Sequence, residues 1–258
     1  MRRAVWLTAP LALCVAAVAA LAAGSSGHIP ENIKAAVDNP TRPQADRQRD
    51  VNRRPEQVLA FAQVRPGLKL AELEPARGYY TRILCKAVGS LGHIDAVNFT
   101  PHFSQQQLQR MGGRTMGPPA APQTDCDNVT YSVQEASALT LPSDLDMVWT
   151  AENYHDFHNP EFQKPDMRTF DQAVFNALRP GGVFIIEDHA AAAGTGAQDT
   201  NTLHRIDPAL VKQEVESVGF RYAGQSRILQ DPGDNHHEVV FKMADRTDRF
   251  LFKFRKPR

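Results

Sequence analysis

Residues 68–81, LKLAELEPARGYYT, are the stretch of sequence that most clearly indicates the fold. Three leucines form an apolar run, a turn containing Pro75 and Gly78 follows, and helical character then continues to Val88. This order predicts a strand, a tight turn and a helix. Such a turn brings strand carboxylates and unpaired helix N–H groups to one edge of a sheet. The turn is therefore either a binding site for a polar small molecule or a plain connection that folds the chain.

Strands and helices alternate on both sides of this turn. Helices are predicted from Pro55 until Pro66 and at 79–88, 100–109, 166–178 and 207–218. Further strands are predicted at 93–97, 128–133, 146–150, 183–187, 221–229 and 250–254. Because strands alternate with amphipathic helices, we expect an open, mostly parallel α/β sheet covered by helices on both faces.

The start of the chain has the parts of a secretory signal. Arg2 and Arg3 precede an uncharged apolar segment, 4–23, that ends in small residues. This composition favours a signal peptide, residues 1–23, over a single membrane anchor. We therefore expect an exported, periplasmic protein with no stable membrane span after the signal is removed.

The remaining chain divides into a lead-in and one domain. Residues 24–54 carry three prolines and a charged run, which predicts an extended lead-in with one helical turn near residues 33–37. Residues 55–258 are long enough for a single α/β domain. Loss of the two signal arginines lowers the basic count from 29 to 27 against 29 acidic residues, which argues against a nucleic-acid partner. Cys85 and Cys126 either pair or remain free thiols.

Polar residues follow the predicted fourth and fifth strands, at 152–156 and 188–189, and another group lies in LHRID, 203–207. Histidine and carboxylate side chains at the carboxyl ends of strands suit a general base that works near neutral pH. Each histidine has an alternative role as a structural bridge between loops. The candidate catalytic residues are His155, Asp156, Asp188, His189 and His204.

Three motifs carry a resemblance to a known family. They are the acidic-x-x-x-x-x-Gly turn at 72–78, the helix leading into LRPGGVFIIEDH at 178–189, and the ending TDRFLFKFRKP at 247–257. With these motifs the chain resembles the class I S-adenosylmethionine-dependent methyltransferases over residues 55–257, and within them a group of exported bacterial members. The resemblance implies a Rossmann-like sheet of seven strands with an antiparallel C-terminal strand. It also implies S-adenosylmethionine as cofactor. Our first hypothesis is therefore a methyltransferase that acts on a small or medium-sized acceptor, with oxygen as the atom that receives the methyl group.

The resemblance also assigns cofactor-binding positions. Glu72 matches the acidic residue that ends the first strand, and Asn98 matches the acidic residue that binds the ribose. Of three positions that are usually glycine, only Gly78 is retained, because Glu74 and Ala76 occupy the other two. The full set implied for cofactor binding is Glu72, Glu74, Ala76, Gly78, Tyr79, Asn98, Glu135, Ala136 and Asn153. For Tyr79, packing on a helix face is an equal alternative to cofactor binding.

Two other functions compete with methyl transfer. The altered glycine pattern and the export signal favour a non-catalytic ligand-binding or interaction protein on the same scaffold. A supply of histidine and carboxylate ligands suits an exported metal-assisted hydrolase. That supply comprises Asp156, His158, Asp188, His189, His204, His236 and His237. Because no compact motif such as HExxH is present, we predict no metal site from the sequence.

Overall fold

The structure is a computed structural model that describes residues 28–110 and 119–258, without the side chain of Arg110. The predicted signal peptide lies outside these residues. The helices are α1 (Glu31–Val37), α2 (Gln44–Arg53), α3 (Pro55–Ala62), α4 (Tyr79–Val88), α5 (Gln105–Arg110), α6 (Met167–Ala177) and α7 (Pro208–Ser217). The strands are β1 (Lys69–Leu73), β2 (His93–Phe99), β3 (Val129–Gln134), β4 (Leu145–Ala151), β5 (Leu178–His189), β6 (Arg221–Ser226) and β7 (Arg249–Arg255).

The seven strands form one sheet in the order β3-β2-β1-β4-β5-β7-β6. The first five strands pair in parallel, while β7 runs antiparallel to both β5 and β6. The predicted open, mostly parallel sheet with an antiparallel C-terminal strand is therefore confirmed. Chain order reverses between β1 and β4, and in open α/β sheets ligands bind at the carboxyl ends of the strands beside such a reversal.

Apolar side chains on the two faces of the sheet pack against different helices. On one face Leu70, Trp149 and Ile185 pack with residues of α1, α3 and α4. On the other face Val148 and Phe184 pack with residues of α6 and α7. Because neighbouring residues of a strand point to opposite faces, these strands are buried on both sides, as expected of a covered parallel sheet. Among the described residues, no helix is both long and apolar enough to cross a bilayer.

Several local predictions differ from the structure. The helical turn predicted near residues 33–37 is present as α1, but the rest of the segment predicted as an extended lead-in contains α2, and the charged run of residues 46–54 forms most of that helix. The charges of α2 pair with partners elsewhere in the fold, which the local sequence does not reveal. The helix expected at 100–109 is shorter and begins at Gln105. The RPGG turn at 179–182 lies within β5 as a bulge, because Leu145 pairs with Leu178 while Met147 pairs with Val183.

Cys85 and Cys126 form a disulfide, with Cα atoms 6.3 Å apart. Cys85 lies on α4, and Cys126 lies in the connection before β3. The alternative of two free thiols is therefore not what the structure shows. The bond ties that connection to the helix that follows the β1 turn.

Candidate functional site

Two cavities adjoin at the carboxyl ends of the parallel strands. The first, here called the turn cavity, has a volume of about 500 Å³ and lies over the β1–α4 turn. The second, here called the histidine cavity, has a volume of about 360 Å³. Both volumes fall in the usual range for small-molecule sites. Arg49, Glu152 and Asn153 line both cavities, so the two share a wall.

The β1–α4 turn has the left-handed backbone conformation that favours glycine, even at the two positions where glycine is replaced. Glu74, Ala76 and Gly78 have φ angles of 52°, 48° and 83°. A left-handed conformation costs a residue that carries a Cβ roughly 1–2 kcal/mol. Such strain is concentrated at functional sites, where the surrounding structure holds it in place. The turn therefore has a left-handed backbone at all three positions, although only one of them is glycine.

The side chain of Glu74 folds back onto the sheet. Its Oε2 atom accepts a hydrogen bond from the N–H of Phe99 at 3.0 Å, at the end of β2. Burial raises the pKa of Glu74 to about 8, and the nearby carboxylate of Asp156 acts in the same direction. Asn153 donates from Nδ2 to the carbonyl oxygen of Glu74 at 2.9 Å. Thus Asn153 braces the turn, and the Glu74 carboxyl lies between the ends of β1 and β2.

The turn cavity contains two buried polar atoms without partners, Oε2 of Glu72 and Nε of Arg53. Glu72 is 3% exposed, and burial raises its pKa to about 7. The nearest carboxylate to Nε of Arg53 is that of Asp245 at 3.6 Å, which is too long for a hydrogen bond. Buried polar atoms normally have partners. One unpaired acceptor and one unpaired donor in the same cavity suit a ligand that carries both a positive and a negative group.

Helix α2 forms the outer wall of the turn cavity. Asp46 pairs with Arg82 of α4 at 2.6 Å, and Asp50 accepts a hydrogen bond from the hydroxyl of Tyr79 at 2.6 Å. The guanidinium of Arg53 lies 4.6 Å from the centre of the Tyr79 ring. These contacts fix α2 across the start of α4, which places Tyr79 in the cavity wall.

A buried charge network lies behind the wall that the cavities share. Arg249 donates to Glu152 at 2.6 Å and to Glu187 at 2.9 Å. Glu187 also accepts from the hydroxyl of Tyr80 at 2.7 Å, and Arg53 pairs with Glu152. The network joins α2, α4, the residue that follows β4, β5 and β7, so it holds the shared wall in place.

His155 is held by a buried carboxylate in the histidine cavity. Its Nδ1 lies 2.8 Å from Oδ1 of Asp188, and its backbone N–H donates to Oδ2 of the same residue at 2.7 Å. Burial opposes a charge on the ring, but the carboxylates of Asp188 and Asp156 outweigh it and raise the pKa of His155 to about 10. Without a ligand, the ring is therefore a cation between two carboxylates rather than a free base.

Three of the other predicted catalytic residues surround this pair. His204 lies with Nδ1 3.3 Å from Nε2 of His155, and its own φ angle is 55°. Oδ1 of Asp156 lies 3.3 Å from Nε2 of His155. Nδ1 of His189 lies 2.7 Å from the hydroxyl oxygen of Thr247. Burial lowers the pKa of His189 well below its usual value, and the charged His155 adds to this, so His189 is neutral at physiological pH.

The structure brings together most of the predicted site but not its β2–β3 side. Asn98 donates to the hydroxyl of Tyr131 at 3.2 Å and so turns toward β3. Glu135 pairs with His102 near the surface, and Ala136 lies beside a separate small cavity. None of the three predicted residues lines either of the two adjoining cavities.

Sequence reasoning missed several residues of the site. They are Arg49 and Arg53 of α2, Glu152 after β4, Arg249 of β7, and Phe241, whose ring centre lies 4.5 Å from that of His204. Glu152 could have been found, because it directly follows a strand in the polar group at 152–156. The others come from distant segments, and no spacing in the sequence links them to the site.

No protein family matches the chain by sequence, and no curated protein is similar enough to count as a relative. Solved structures do match. A SAM dependent methyltransferase from Aquifex aeolicus shares 17% identity, covers 83% of this chain and 98% of its own, and has a TM-score of 0.50. An S-adenosylmethionine dependent methyltransferase from Mesorhizobium loti shares 17% identity, covers 81% of this chain and 100% of its own, and has a TM-score of 0.52.

A third match is the cyclase SpnF, with 15% identity, coverage of 83% of this chain and 81% of its own, and a TM-score of 0.50. At these identities the likeness establishes a shared fold. The chain therefore has the seven-stranded Rossmann-like fold found in these methyltransferases, and its chemistry has to be argued from its own site.

Proposed function

We propose that this chain is an S-adenosylmethionine-dependent methyltransferase that acts on a small acceptor. The observation that carries the proposal is the pair of adjoining cavities, which share Arg49, Glu152 and Asn153 as a wall. Group transfer between two molecules requires that both be held side by side. One cavity lies over the β1–α4 turn and suits the methyl donor, and the other suits the acceptor.

The residues of the turn cavity fit the amino-acid end of S-adenosylmethionine. Unpaired Oε2 of Glu72 can accept from an ammonium group, and unpaired Nε of Arg53 can donate to a carboxylate. The carboxyl of Glu74 lies at the end of β2, where it can accept from a ribose hydroxyl in place of Asn98. When bound, this cofactor supplies a methyl group already activated by a sulfonium. The methyltransferases of shared fold support this choice of ligand.

The histidine cavity suits a small acceptor with both apolar and polar groups. Val240 and Phe241 supply apolar walls, and Phe241 is 75% exposed at the cavity. His189 lines the same cavity and is neutral, so it can take a proton from an acceptor hydroxyl. This arrangement favours oxygen as the atom that receives the methyl group.

Export to an oxidising compartment belongs to the same proposal. The disulfide between Cys85 and Cys126 supports it, because disulfides persist in the periplasm and are rare in the cytosol. The apolar segment at residues 4–23 supplies the signal.

Calorimetric titration with S-adenosylmethionine and with S-adenosylhomocysteine tests the proposal. We expect saturable binding of both ligands to the purified protein. Glu72→Gln removes the carboxylate charge without changing its shape and should weaken binding at least about tenfold, the size of one charge-assisted hydrogen bond. Glu31→Gln is the matched control, because Glu31 is exposed on α1, and it should bind like the unmodified protein.

Two outcomes would redirect the assignment. Folded protein that binds neither ligand would overturn the proposal and favour a ligand-binding protein without this cofactor. Tight binding without methylated product across a panel of hydroxylated aromatic and aliphatic acceptors would favour other chemistry on the fold, as the cyclase among the structural matches illustrates.

A further inference from the structure

Three side chains from two distant segments converge in the histidine cavity. The distances are 3.3 Å from Nε2 of His155 to Oδ1 of Asp156, 3.3 Å from the same nitrogen to Nδ1 of His204, and 3.6 Å between the last two atoms. Among the described residues, this is the one group of three or more histidine, cysteine or acidic side chains that could hold a metal ion together.

The spacing of these atoms matches a metal coordination sphere. Zinc binds histidine nitrogens and carboxylate oxygens at about 2.0–2.2 Å in tetrahedral geometry, which places neighbouring ligand atoms roughly 3.3–3.6 Å apart. The separations of 3.3, 3.3 and 3.6 Å define one face of such a tetrahedron. An ion can therefore enter with side-chain shifts of a few tenths of an ångström.

The surroundings of His155 are those of a metal ligand. A histidine that binds metal through one nitrogen usually gives the N–H of the other to a carboxylate or a carbonyl, which fixes the ring. Nδ1 of His155 contacts Oδ1 of Asp188 at 2.8 Å, and the Asp188 side chain is fully buried. Asp188 also accepts from the backbone N–H groups of His155 and His189. Nε2 of His155 is thereby directed toward Asp156 and His204.

We propose that His155, Asp156 and His204 bind a divalent transition-metal ion of the zinc class, with Asp188 as the positioning residue. Two imidazoles and one carboxylate favour zinc and its neighbours over magnesium, which prefers oxygen ligands. All three side chains line the histidine cavity, so its open space leaves room for a fourth ligand from water or a substrate. Three protein ligands with one open position are the usual composition of a catalytic zinc site.

Metal binding stands independently of methyl transfer, since it depends only on these four side chains. The other histidines considered as ligands are outside the cluster, and His189, although it lines the same cavity, contacts Thr247 through Nδ1 at 2.7 Å. His158 pairs with Glu214 at 3.0 Å, and His236 pairs with Asp248 at 3.0 Å. The sequence could not separate these from the three that converge.

Titration of chelator-stripped full chain with zinc, in competition with a chromophoric chelator, tests the proposal. We expect one zinc per chain and weaker or no binding of magnesium. His204→Ala and Asp156→Ala should each weaken zinc binding by at least tenfold. Asp188→Asn should weaken it about 10–100-fold, the usual effect of losing a carboxylate that orients a ligand. Cobalt in place of zinc should give the visible absorption bands of a tetrahedral site, and His204→Ala should abolish them.

His237→Ala is the matched control, because His237 is exposed and outside the cluster, and it should bind zinc like the unmodified protein. Melting temperatures of the metal-free proteins show whether each variant is folded, and His204 is partly exposed, so its truncation should leave the fold intact. Equal zinc affinity in folded His204→Ala, or the absence of stoichiometric zinc binding by the unmodified chain, would overturn the proposal. In that case the three side chains are a proton-bridged cluster only.

Discussion

Arg249 donates from Nη1 to Oε1 of Glu152 at 2.6 Å, although 97 residues separate them in the chain. The Arg249 side chain is 1% exposed, and its second carboxylate partner, Glu187, is completely buried. A single buried cation therefore bridges the carboxylate that follows β4 and the carboxylate of β5, directly behind the wall between the two cavities, and Arg53 supplies a second cation at Glu152.

Replacing this cation should be costly. Arg249→Met leaves Glu187 buried without its guanidinium partner, and breaking a buried pair in this way typically costs about 3–5 kcal/mol. We expect a loss of that size in the free energy of unfolding, measured by urea denaturation. Arg179→Met is the control, because Arg179 is 42% exposed where it pairs with Asp146, and it should cost at most about 1 kcal/mol. Equal losses in the two variants would contradict the assigned role of Arg249.

Gly78, the glycine retained in the β1–α4 turn, has no room for a side chain. Gly67 has a similar backbone conformation and open space around it, so it serves as a control for backbone strain alone. A Cβ at Gly78 would lie 2.8 Å from Cβ of Pro122, whereas one at Gly67, with a similar φ of 80°, meets nothing within 4 Å. Gly67→Ala should lose roughly 1–2 kcal/mol from backbone strain alone. Gly78→Ala should lose about 1–3 kcal/mol more, because the turn and Pro122 must separate. Thermal unfolding of both variants measures the difference, and a Gly78→Ala loss no larger than that of Gly67→Ala would show that Pro122 moves freely.

Burial of Glu72 makes stability depend on pH in a defined window. Its pKa of about 7 lies above the ordinary value of 4.5, so between these values the unfolded chain releases a proton that the folded chain retains. Stability from this group should therefore be full below about pH 4.5 and fall as pH rises through 7, by roughly 2–3 kcal/mol. Glu72→Gln should reduce the decline by about this amount and leave the part that comes from Glu74, whose pKa is raised to about 8, while the exposed Glu31→Gln should keep all of it. The measurement is denaturation at pH 5 and pH 8, and parallel profiles in all three proteins would refute the assignment.

The disulfide should stabilise the fold by restricting the unfolded chain. It closes a loop of 41 residues, for which the chain-entropy estimate is about 4 kcal/mol. The double variant Cys85→Ser, Cys126→Ser should lose about that much in urea denaturation. Reductant should bring the unmodified protein to the same midpoint and leave the double variant unchanged. Alkylation of both cysteines in denatured, unreduced protein would show that the bond does not form.

Much of the fold followed from the sequence because the signals are local. Each of these signals depends only on neighbouring residues. They are apolar runs, glycine or proline at the end of a helix, and the helix cap at Asp207 before Pro208, and the elements that they predict are present. Residues 46–54 were the main failure. A charged run without an apolar face gives no local reason for a helix, and α2 is stabilised by ion pairs with α4 and with Asp245.

The sequence by itself determined the alternation of strands and helices, the sheet that they form, and the presence of polar residues at the carboxyl ends of β1, β4 and β5. Those properties depend on periodicity and turn chemistry within a few residues. Only the tertiary structure decided which polar residues meet. It brings His204 to His155 and Arg249 to Glu152, and it turns Asn98 toward Tyr131 and away from the cavities. Contacts between residues far apart in the chain depend on strand order and helix packing, which the order of amino acids does not display directly.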